Sequence, residues 1–315
     1  TTLFRSGAQR EEFVRPVHWI LMLFGDQIID CNILGIAASN KTYGHRFHAP
    51  ESITITTPQS YESELQSKGF VIAAFDKRQQ QVKHAVEEQA AQLNGTAVID
   101  PALLDEVTAL VEWPVALAGN FEDAFLRVPN QALVSSMKEH QKYFHLVDAK
   151  GNLLPHFITV ANIESIDPGQ VVAGNERVIR PRLADAAFFF DSDLKVSLQA
   201  RLESLKSIVF QKQLGSLHDK AMRIANLSGE IAKLVGEPEG QAVRAGLLAK
   251  SDLVSLMVGE FPDLQGTMGR HYALNDGEEP IVAEAIGEHY QPAFAGDTVP
   301  SSKIGCCVSQ IGRAH

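Results

Sequence analysis

Several features that mark familiar protein classes are missing or scarce in this sequence of 315 residues. It has only three cysteines, Cys31 alone and Cys306 beside Cys307, a spacing that neither a disulfide nor a zinc site requires. The longest apolar run, residues 17–24, is too short to span a bilayer. No basic start followed by an apolar run suggests a signal peptide. We therefore expect a cytoplasmic protein with no membrane partner.

Signatures of nucleotide, metal and nucleophile sites are equally scarce. The sequence contains no GxGxxG or GxxxxGK[ST] phosphate loop, no HExxH or CxxC and no GxSxG. Its formal net charge of -10 argues against a strongly basic, DNA-binding protein, although a local basic patch can still bind RNA. The residues therefore predict no catalytic group, no bound cofactor and no metal in this chain.

What is present indicates a globular protein of about two domains. Hydrophobic residues make up 45% of the chain and charged residues 21%, enough for a sizeable core. Up to residue 165 strands and helices are mixed, with a strand predicted at Val71–Phe75, a helix started by Asp100 before Pro101, and a hairpin around Gly151. From Pro168 onward helical patterns dominate and strand patterns vanish. We predict an α+β domain at 7–165 and an all-α domain at 166–309.

The helical part invites comparison with metal-dependent HD phosphohydrolases. In that superfamily a His-Asp ligand pair follows an apolar stretch, but the similar stretch here, Ala245–Leu248, leads to Lys250. A lysine where a ligand carboxylate belongs would repel a metal cation, and Asp252 comes two residues late. The His-Asp pair that the sequence does contain is His218–Asp219, whose carboxylate fits better as the N-cap of the following helix. The part therefore resembles an HD fold with a degenerate metal site.

Three arginines, Arg177, Arg180 and Arg182, lie close together around Pro181. Guanidinium groups at this density can hold phosphates bidentately, which makes the three arginines candidate contacts to RNA. The alternative is structural, in which the arginines pair at a domain interface with the carboxylates of Glu176, Asp185 and Asp191.

Two further places combine basic and aromatic residues. Lys138, His140 and Lys142 lie just before a predicted strand, and His45 and Arg46 lie in a turn-rich loop. Phosphates attract cations and unpaired bases stack on aromatic rings, so both places are candidate RNA contacts. Solvated charges beside a core strand are the alternative.

Eight strings of residues, in order and without a large gap, carry a resemblance that runs from about residue 7 to about residue 308. The strings are EFVRPVHW, GHRF, LLDEVTALVEWPVAL, MKEHQKYF, LLPHFITVANIES, AGNERVIRPRLADAAFFF, VFQKQLGSL and GEFPDLQGTMGRHYAL. Together they resemble the beta subunit of the bacterial two-subunit glycyl-tRNA synthetases.

The resemblance implies a fold, a reaction and partners. Enzymes of this family are tetramers of two alpha and two beta chains, and the alpha subunit activates glycine with ATP and Mg. The beta subunit recognises and positions tRNA-Gly. Its middle holds an editing-type domain, similar to that of the phenylalanyl synthetase beta chain, followed by an HD-like helical domain. We therefore expect an α+β editing-like domain and an all-α HD-like domain, with the alpha subunit and tRNA-Gly as partners.

The preferred hypothesis is a non-catalytic, tRNA-positioning part of a glycine–tRNA ligase. One alternative is a scaffold for subunit assembly without RNA contact, and another is an HD-type metal-dependent phosphohydrolase. The two ends of the chain carry a separate expectation. Residues 1–6 and 311–315 correspond in translation to the two sides of a common sequencing adapter, so we expect the native sequence to continue beyond about residues 7–309.

Overall fold

The computed structural model describes residues 17–312 and, before them, the backbone of Phe4–Arg5 and Glu12–Phe13. The predicted adapter segments at residues 1–6 and 311–315 lie outside the described residues, apart from the backbone of Phe4–Arg5 and of residues 311–312. Within the described ranges, no helix combines the length and the apolar character that a bilayer crossing needs.

The elements are numbered here in chain order. The strands are β1 Phe4–Arg5, β2 Glu12–Phe13, β3 Ile20–Leu21, β4 Leu23–Phe24, β5 Gln27–Ile28, β6 Asn32–Ile33, β7 Ile36–Ser39, β8 Lys41–Tyr43, β9 Ser52–Thr54, β10 Thr96–Ala97, β11 Val115–Asn120, β12 Phe144–Val147, β13 Leu153–Ala161, β14 Val209–Gln211 and β15 Gly215–Ser216. The α-helices are α1 Tyr61–Gly69, α2 Phe75–Gln92, α3 Pro101–Leu110, α4 Asn130–Ser135, α5 Pro168–Asp193, α6 Leu198–Arg201, α7 Leu217–Val235, α8 Glu239–Leu248, α9 Leu256–Glu260, α10 Thr267–Asn275, α11 Pro280–Glu288 and α12 Lys303–Gly312.

The chain forms two compact units. The first comprises residues 1–120 and 141–177, and the second comprises residues 121–140 and 178–315. This division differs from the predicted ranges 7–165 and 166–309, because residues 121–140 contact the helical unit. The Ser135 hydroxyl donates to Asp263, for example, and the His140 ring meets Phe261 edge-on at 6.2 Å. Whether the predicted ranges are an editing-like and an HD-like domain stays a prediction.

The main core of the first unit lies between an antiparallel sheet and two helices. The sheet has the strand order β10-β12-β13-β11. Its buried side chains, among them Phe144 and Ile158, form one cluster with Val82 and Val86 of α2 and with Val107 of α3. The predicted start of α3 is confirmed, since the Asp100 carboxylate accepts the Leu103 N–H at 3.0 Å. The predicted hairpin around residue 151 is confirmed as β12–β13.

One predicted strand of the first unit is wrong. Val71–Phe75 is apolar, but its backbone pairs with no strand of the described chain. The Val71 N–H donates to the carbonyl of Leu65, and the Ile72 N–H donates to that of Glu112. The segment is therefore a buried connection that leads into α2.

The second unit is built mainly from helices, of which α7 and α8 pack most closely. A Cβ atom at Gly246 of α8 would lie 2.9 Å from Ala225 Cα of α7, so the two backbones approach at a distance that only glycine permits. The helix α7 begins at a capping box, in which Ser216 is the N-cap and Asp219 lies at the third helical position. Asp219 therefore closes the cap but is not itself the N-cap, which corrects the prediction.

The expectation that strands vanish after residue 168 is wrong at one place. In this part, the short helix α6 and a 3-10 turn at Leu202–Ser207 are followed by the strand β14. β14 pairs with β15, whose first residue, Gly215, has a φ of +82°. Leu202 and Leu205 of the 3-10 turn are buried.

Candidate nucleic-acid interface

The three clustered arginines lie on α5, and all three are exposed. Arg180 Nε donates to Glu122 Oε1 at 2.6 Å in an ion pair that is half exposed on both sides. Arg177 Nε donates to the carbonyl of Ala173 one turn back, at 3.2 Å. Among the described residues, no carboxylate lies within ion-pair distance of Arg177 or Arg182. Two of the three guanidinium groups therefore remain available to an anionic ligand.

The carboxylates considered as structural partners of these arginines have other partners or are exposed. Glu176 accepts the backbone N–H of Asn120 at 2.9 Å, and Asp191 pairs with Arg127 at 2.8 Å. Asp185 is exposed. The partner of Arg180 is Glu122, whose pKa is lowered by a hydrogen bond from its own backbone and by Arg180. Sequence alone did not point to Glu122, because 58 residues separate it from Arg180.

The residues of the second candidate group are divided between the two units. Lys138 is partly buried beside Glu139 at 3.6 Å, and His140 is exposed next to the Phe261 ring. Both belong to the π-helical turn Ser136–His140 of the second unit. Lys142 belongs to the first unit, has a φ of +59° and pairs with Glu106 at 2.9 Å. These residues stay candidates individually, with Lys142 partly neutralised by its partner.

In the loop that follows β8, the candidate His45 is buried and the candidate Arg46 is exposed. His45 is only 2% exposed. Its Nδ1 accepts the N–H groups of Phe47 and His48, both at 3.3 Å, so its Nε2 carries the proton and donates to the carbonyl of Asn162. A buried ring with both nitrogens engaged cannot contact tRNA, and His45 is corrected to a structural role. Arg46 is exposed, with its guanidinium 5.9 Å from the centroid of the Phe47 ring.

The helical unit encloses a lysine where the HD comparison expects a metal ligand. Lys250 is 4% exposed, its Nζ donates to His289 Nε2 at 2.8 Å, and it lies 3.6 Å from the centroid of the Tyr290 ring. His289 Nδ1 donates to the carbonyl of Ile286, which leaves Nε2 as the acceptor. Burial, together with nearby Lys220 and against the effect of Asp252, lowers the pKa of Lys250 to about 7. Burial and Lys250 hold the pKa of His289 well below its usual value.

Asp252 is fully buried near this lysine. Its Oδ2 accepts the N–H groups of Gly266 at 2.6 Å and Gly269 at 3.1 Å, while Oδ1 has no hydrogen-bond partner among the described residues. Burial raises the pKa of Asp252 to about 6 against the effect of the two N–H groups. Within residues 17–312, no group of three histidine, cysteine or acidic side chains has the geometry of a metal site.

A buried polar centre that sequence reasoning missed lies at Asp193, the last residue of α5. Its carboxylate accepts Arg201 Nη2, the N–H groups of Leu256 and Met257, and the Tyr272 hydroxyl, all at 2.8–2.9 Å. Asp193 is 2% exposed and Arg201 8%. No motif marks this centre, because its members lie up to 79 residues apart. It fixes the end of α5 and thereby the helix that carries the candidate arginines.

Comparisons with known proteins define the class of protein to which this structure belongs. The family model described as "Glycyl-tRNA synthetase beta subunit" matches residues 2–314. The chain therefore belongs to the glycyl-tRNA synthetase beta subunit family, a family of subunits of an aminoacyl-tRNA ligase.

Curated relatives agree with this family. Three proteins named glycine–tRNA ligase beta subunit match it: that of Hahella chejuensis at 57% identity over 305 residues, that of Marinobacter nauticus at 55% over 310, and that of Pseudomonas putida at 53% over 305. The matches cover 97–98% of this chain but only 44–45% of each relative. The chain thus spans less than half the length of these relatives.

Proposed function

We propose that this chain is the tRNA-positioning, non-catalytic part of a glycine–tRNA ligase. In this proposal a separate alpha subunit activates glycine with ATP and Mg, and the chain holds tRNA-Gly so that its 3′ end can be charged. Family membership supports the role in the ligase. The observation that supports the tRNA contact is the exposure of Arg177, Arg180 and Arg182 on one helix, with only Arg180 in an ion pair.

Electrostatics favour this reading over the two alternatives. Exposed guanidinium groups bind phosphate oxygens in fixed, bidentate geometry, and a chain of net charge -10 otherwise repels RNA. A scaffold that only joined subunits would use these arginines as buried, paired anchors. A phosphohydrolase would need a metal, and where the HD comparison expects a ligand carboxylate the helical unit has the buried side chain of Lys250, which cannot replace one. We therefore propose the editing-like and HD-like domains as resemblances of fold, without an editing or phosphohydrolase activity.

Replacing Arg177, Arg180 and Arg182 together with alanine should impair charging at the tRNA step. In the complete beta subunit assembled with the alpha subunit, we expect the KM for tRNA-Gly to rise roughly 10- to 100-fold, because up to three phosphate contacts are lost. Glycine-dependent exchange of pyrophosphate into ATP, which requires no tRNA, should be unchanged. Steady-state charging and exchange assays on the same preparations measure both quantities.

A matched control keeps the change in net charge the same. Lys83, Lys206 and Lys233 are also exposed, and each is paired with a glutamate. Their replacement by alanine should leave the KM for tRNA-Gly within about twofold, since only general electrostatic attraction changes. Equal KM increases in the two triple variants would argue against a contact at α5. Loss of the alpha subunit from the arginine variant during purification would indicate the scaffold instead.

A further inference from the structure

The loop after β8 presents an arginine and a phenylalanine together at the surface of the first unit. Phe47 is 72% exposed, and the Arg46 guanidinium lies 5.9 Å from the centroid of its ring. We call these two side chains the Arg46–Phe47 platform. A single exposed aromatic residue is ordinary, and Phe24 is 78% exposed with no cation over its ring among residues 17–312. What distinguishes the platform is the backbone that carries it.

The backbone on the N-terminal side of the platform is fixed by a close approach of two glycines. A Cβ atom at Gly44 would lie 2.4 Å from the carbonyl oxygen of Gly69, at the end of α1. The next residue, His45, donates its backbone N–H to that same oxygen at 2.6 Å. Because no side chain fits between the two backbones, the loop lies directly on the end of α1.

The backbone on the C-terminal side is fixed by hydrogen bonds. The buried His45 ring accepts the N–H groups of Phe47 and His48 and donates to the carbonyl of Asn162. The Ala49 N–H donates to the carbonyl of His45 at 2.8 Å, and His48 Nε2 accepts the N–H of Glu164 at 2.9 Å. The platform is thus exposed but held in place, so a ligand that binds to it loses little affinity to the ordering of the loop.

An open cavity of about 520 Å³ is lined by the residues that follow the platform, His48 to Thr54, which include the carboxylate of Glu51, and by Lys68. His48, Ser52 and Lys68 contribute polar groups to its lining. Its volume lies in the range of sites that hold a small ligand or a single nucleotide. The lining mixes apolar side chains, such as Ile53, with these polar groups.

We propose that the Arg46–Phe47 platform binds an unpaired nucleotide of RNA, with the base stacked on Phe47 and a phosphate held by Arg46. The inference rests on the proposed function and names the part of the tRNA that this loop contacts. An unpaired nucleotide fits because its base has an accessible face, whereas the bases of an RNA duplex are stacked on their neighbours. Stacking on an aromatic ring tolerates any base, so the platform contributes affinity and position more than sequence selectivity.

Three variants of the 315-residue chain test the platform by equilibrium binding of tRNA-Gly at several salt concentrations. Phe47→Ala should weaken binding about 5- to 100-fold, the range for loss of one stacked base, without changing the dependence on salt. Phe47→Trp should restore binding, because the stacking surface returns. Arg46→Ala should make the plot of log K against log salt shallower by about 0.7–0.9, because one phosphate contact is lost. A blunt RNA duplex should bind equally to the native chain and to Phe47→Ala.

The matched control is Phe24→Ala, which removes an equally exposed ring and should leave the affinity for tRNA-Gly unchanged. Circular dichroism should show the same folded chain for all variants, since neither ring is buried. If Phe47→Ala binds tRNA-Gly as the native chain does while the α5 arginine variant does not, the platform is refuted and the proposed function stands. If Phe47→Ala instead weakens binding of the alpha subunit alone, the platform is a protein contact and the inference is wrong. If the native chain binds no tRNA-Gly, the proposed function and the inference both fail.

Discussion

Replacing Asp193 with alanine is expected to lower the free energy of unfolding by about 3–5 kcal/mol, the range for breaking a buried ion pair by removal of one partner. The substitution leaves the Arg201 guanidinium, itself 8% exposed, without its counter-charge. It also removes the acceptor of two backbone N–H groups, those of Leu256 and Met257, and of the Tyr272 hydroxyl. Buried donors without acceptors each add to the cost. Urea unfolding followed by circular dichroism measures the change.

The neighbouring Asp191 provides a control of the same residue type on the same helix. It pairs with Arg127 at 2.8 Å, but the two side chains are 48% and 52% exposed. An exposed pair of this kind contributes about 0–1 kcal/mol, because water and salt screen it. Asp191→Ala should therefore change the free energy of unfolding little. A loss for Asp193→Ala no larger than that for Asp191→Ala would show that the buried centre does not stabilise the helical unit.

The second large effect is expected in the pH dependence of stability, through Lys250. In the unfolded chain its pKa is near the usual 10.5, and in the folded chain burial lowers the pKa to about 7. Between these values the unfolded state binds the proton and the folded state does not, so stability rises with pH. At about 1.36 kcal/mol for each pKa unit, the lowered pKa of Lys250 destabilises the folded chain by roughly 5 kcal/mol. This destabilisation is complete below about pH 7 and disappears near pH 10.5.

Lys250→Met isolates this contribution. From pH 7 to pH 8.5 the free energy of unfolding of the native chain should rise by about 2 kcal/mol relative to that of the variant. Asp252 and His289, which lie close to Lys250, do not produce the difference. Asp252 has a folded pKa of about 6 and His289 one well below its usual value, so neither titrates across this interval in the folded state. Parallel stability curves for the two chains over pH 7–8.5 would mean that Lys250 is already charged or hydrated in the folded protein.

Local signals in the sequence were enough for the parts of the fold that depend on neighbouring residues. The cap at Asp100 and the hairpin around residue 151 involve partners within a few positions, and both predictions are confirmed. The error at Val71–Phe75 has a tertiary cause. An apolar run indicates burial, but the partner of Ile72 is the carbonyl of Glu112, forty residues away. Burial could be predicted there, whereas a ladder of strand hydrogen bonds could not.

The same limit applies to the candidate site. The exposure of Arg177, Arg180 and Arg182 agrees with the charged pattern of their helix, but the pairing of Arg180 depends on Glu122, which sequence spacing does not reveal. His45 lies in a loop, as expected, yet it is buried because Asn162 lies 117 residues further along the chain. A turn-rich segment indicates where a loop lies and not which of its side chains point inward.

The most direct test of the tRNA-positioning role is the binding of tRNA-Gly to this chain, titrated from low to physiological salt. Three phosphate contacts at α5 predict a log K that falls linearly with log salt, with a slope that becomes shallower by about 2–3 when Arg177, Arg180 and Arg182 are alanine. Binding that weakens with salt and depends on these arginines would support the role and locate it. Absence of binding at low salt, from a chain that circular dichroism shows to be folded, would contradict it and favour a scaffold.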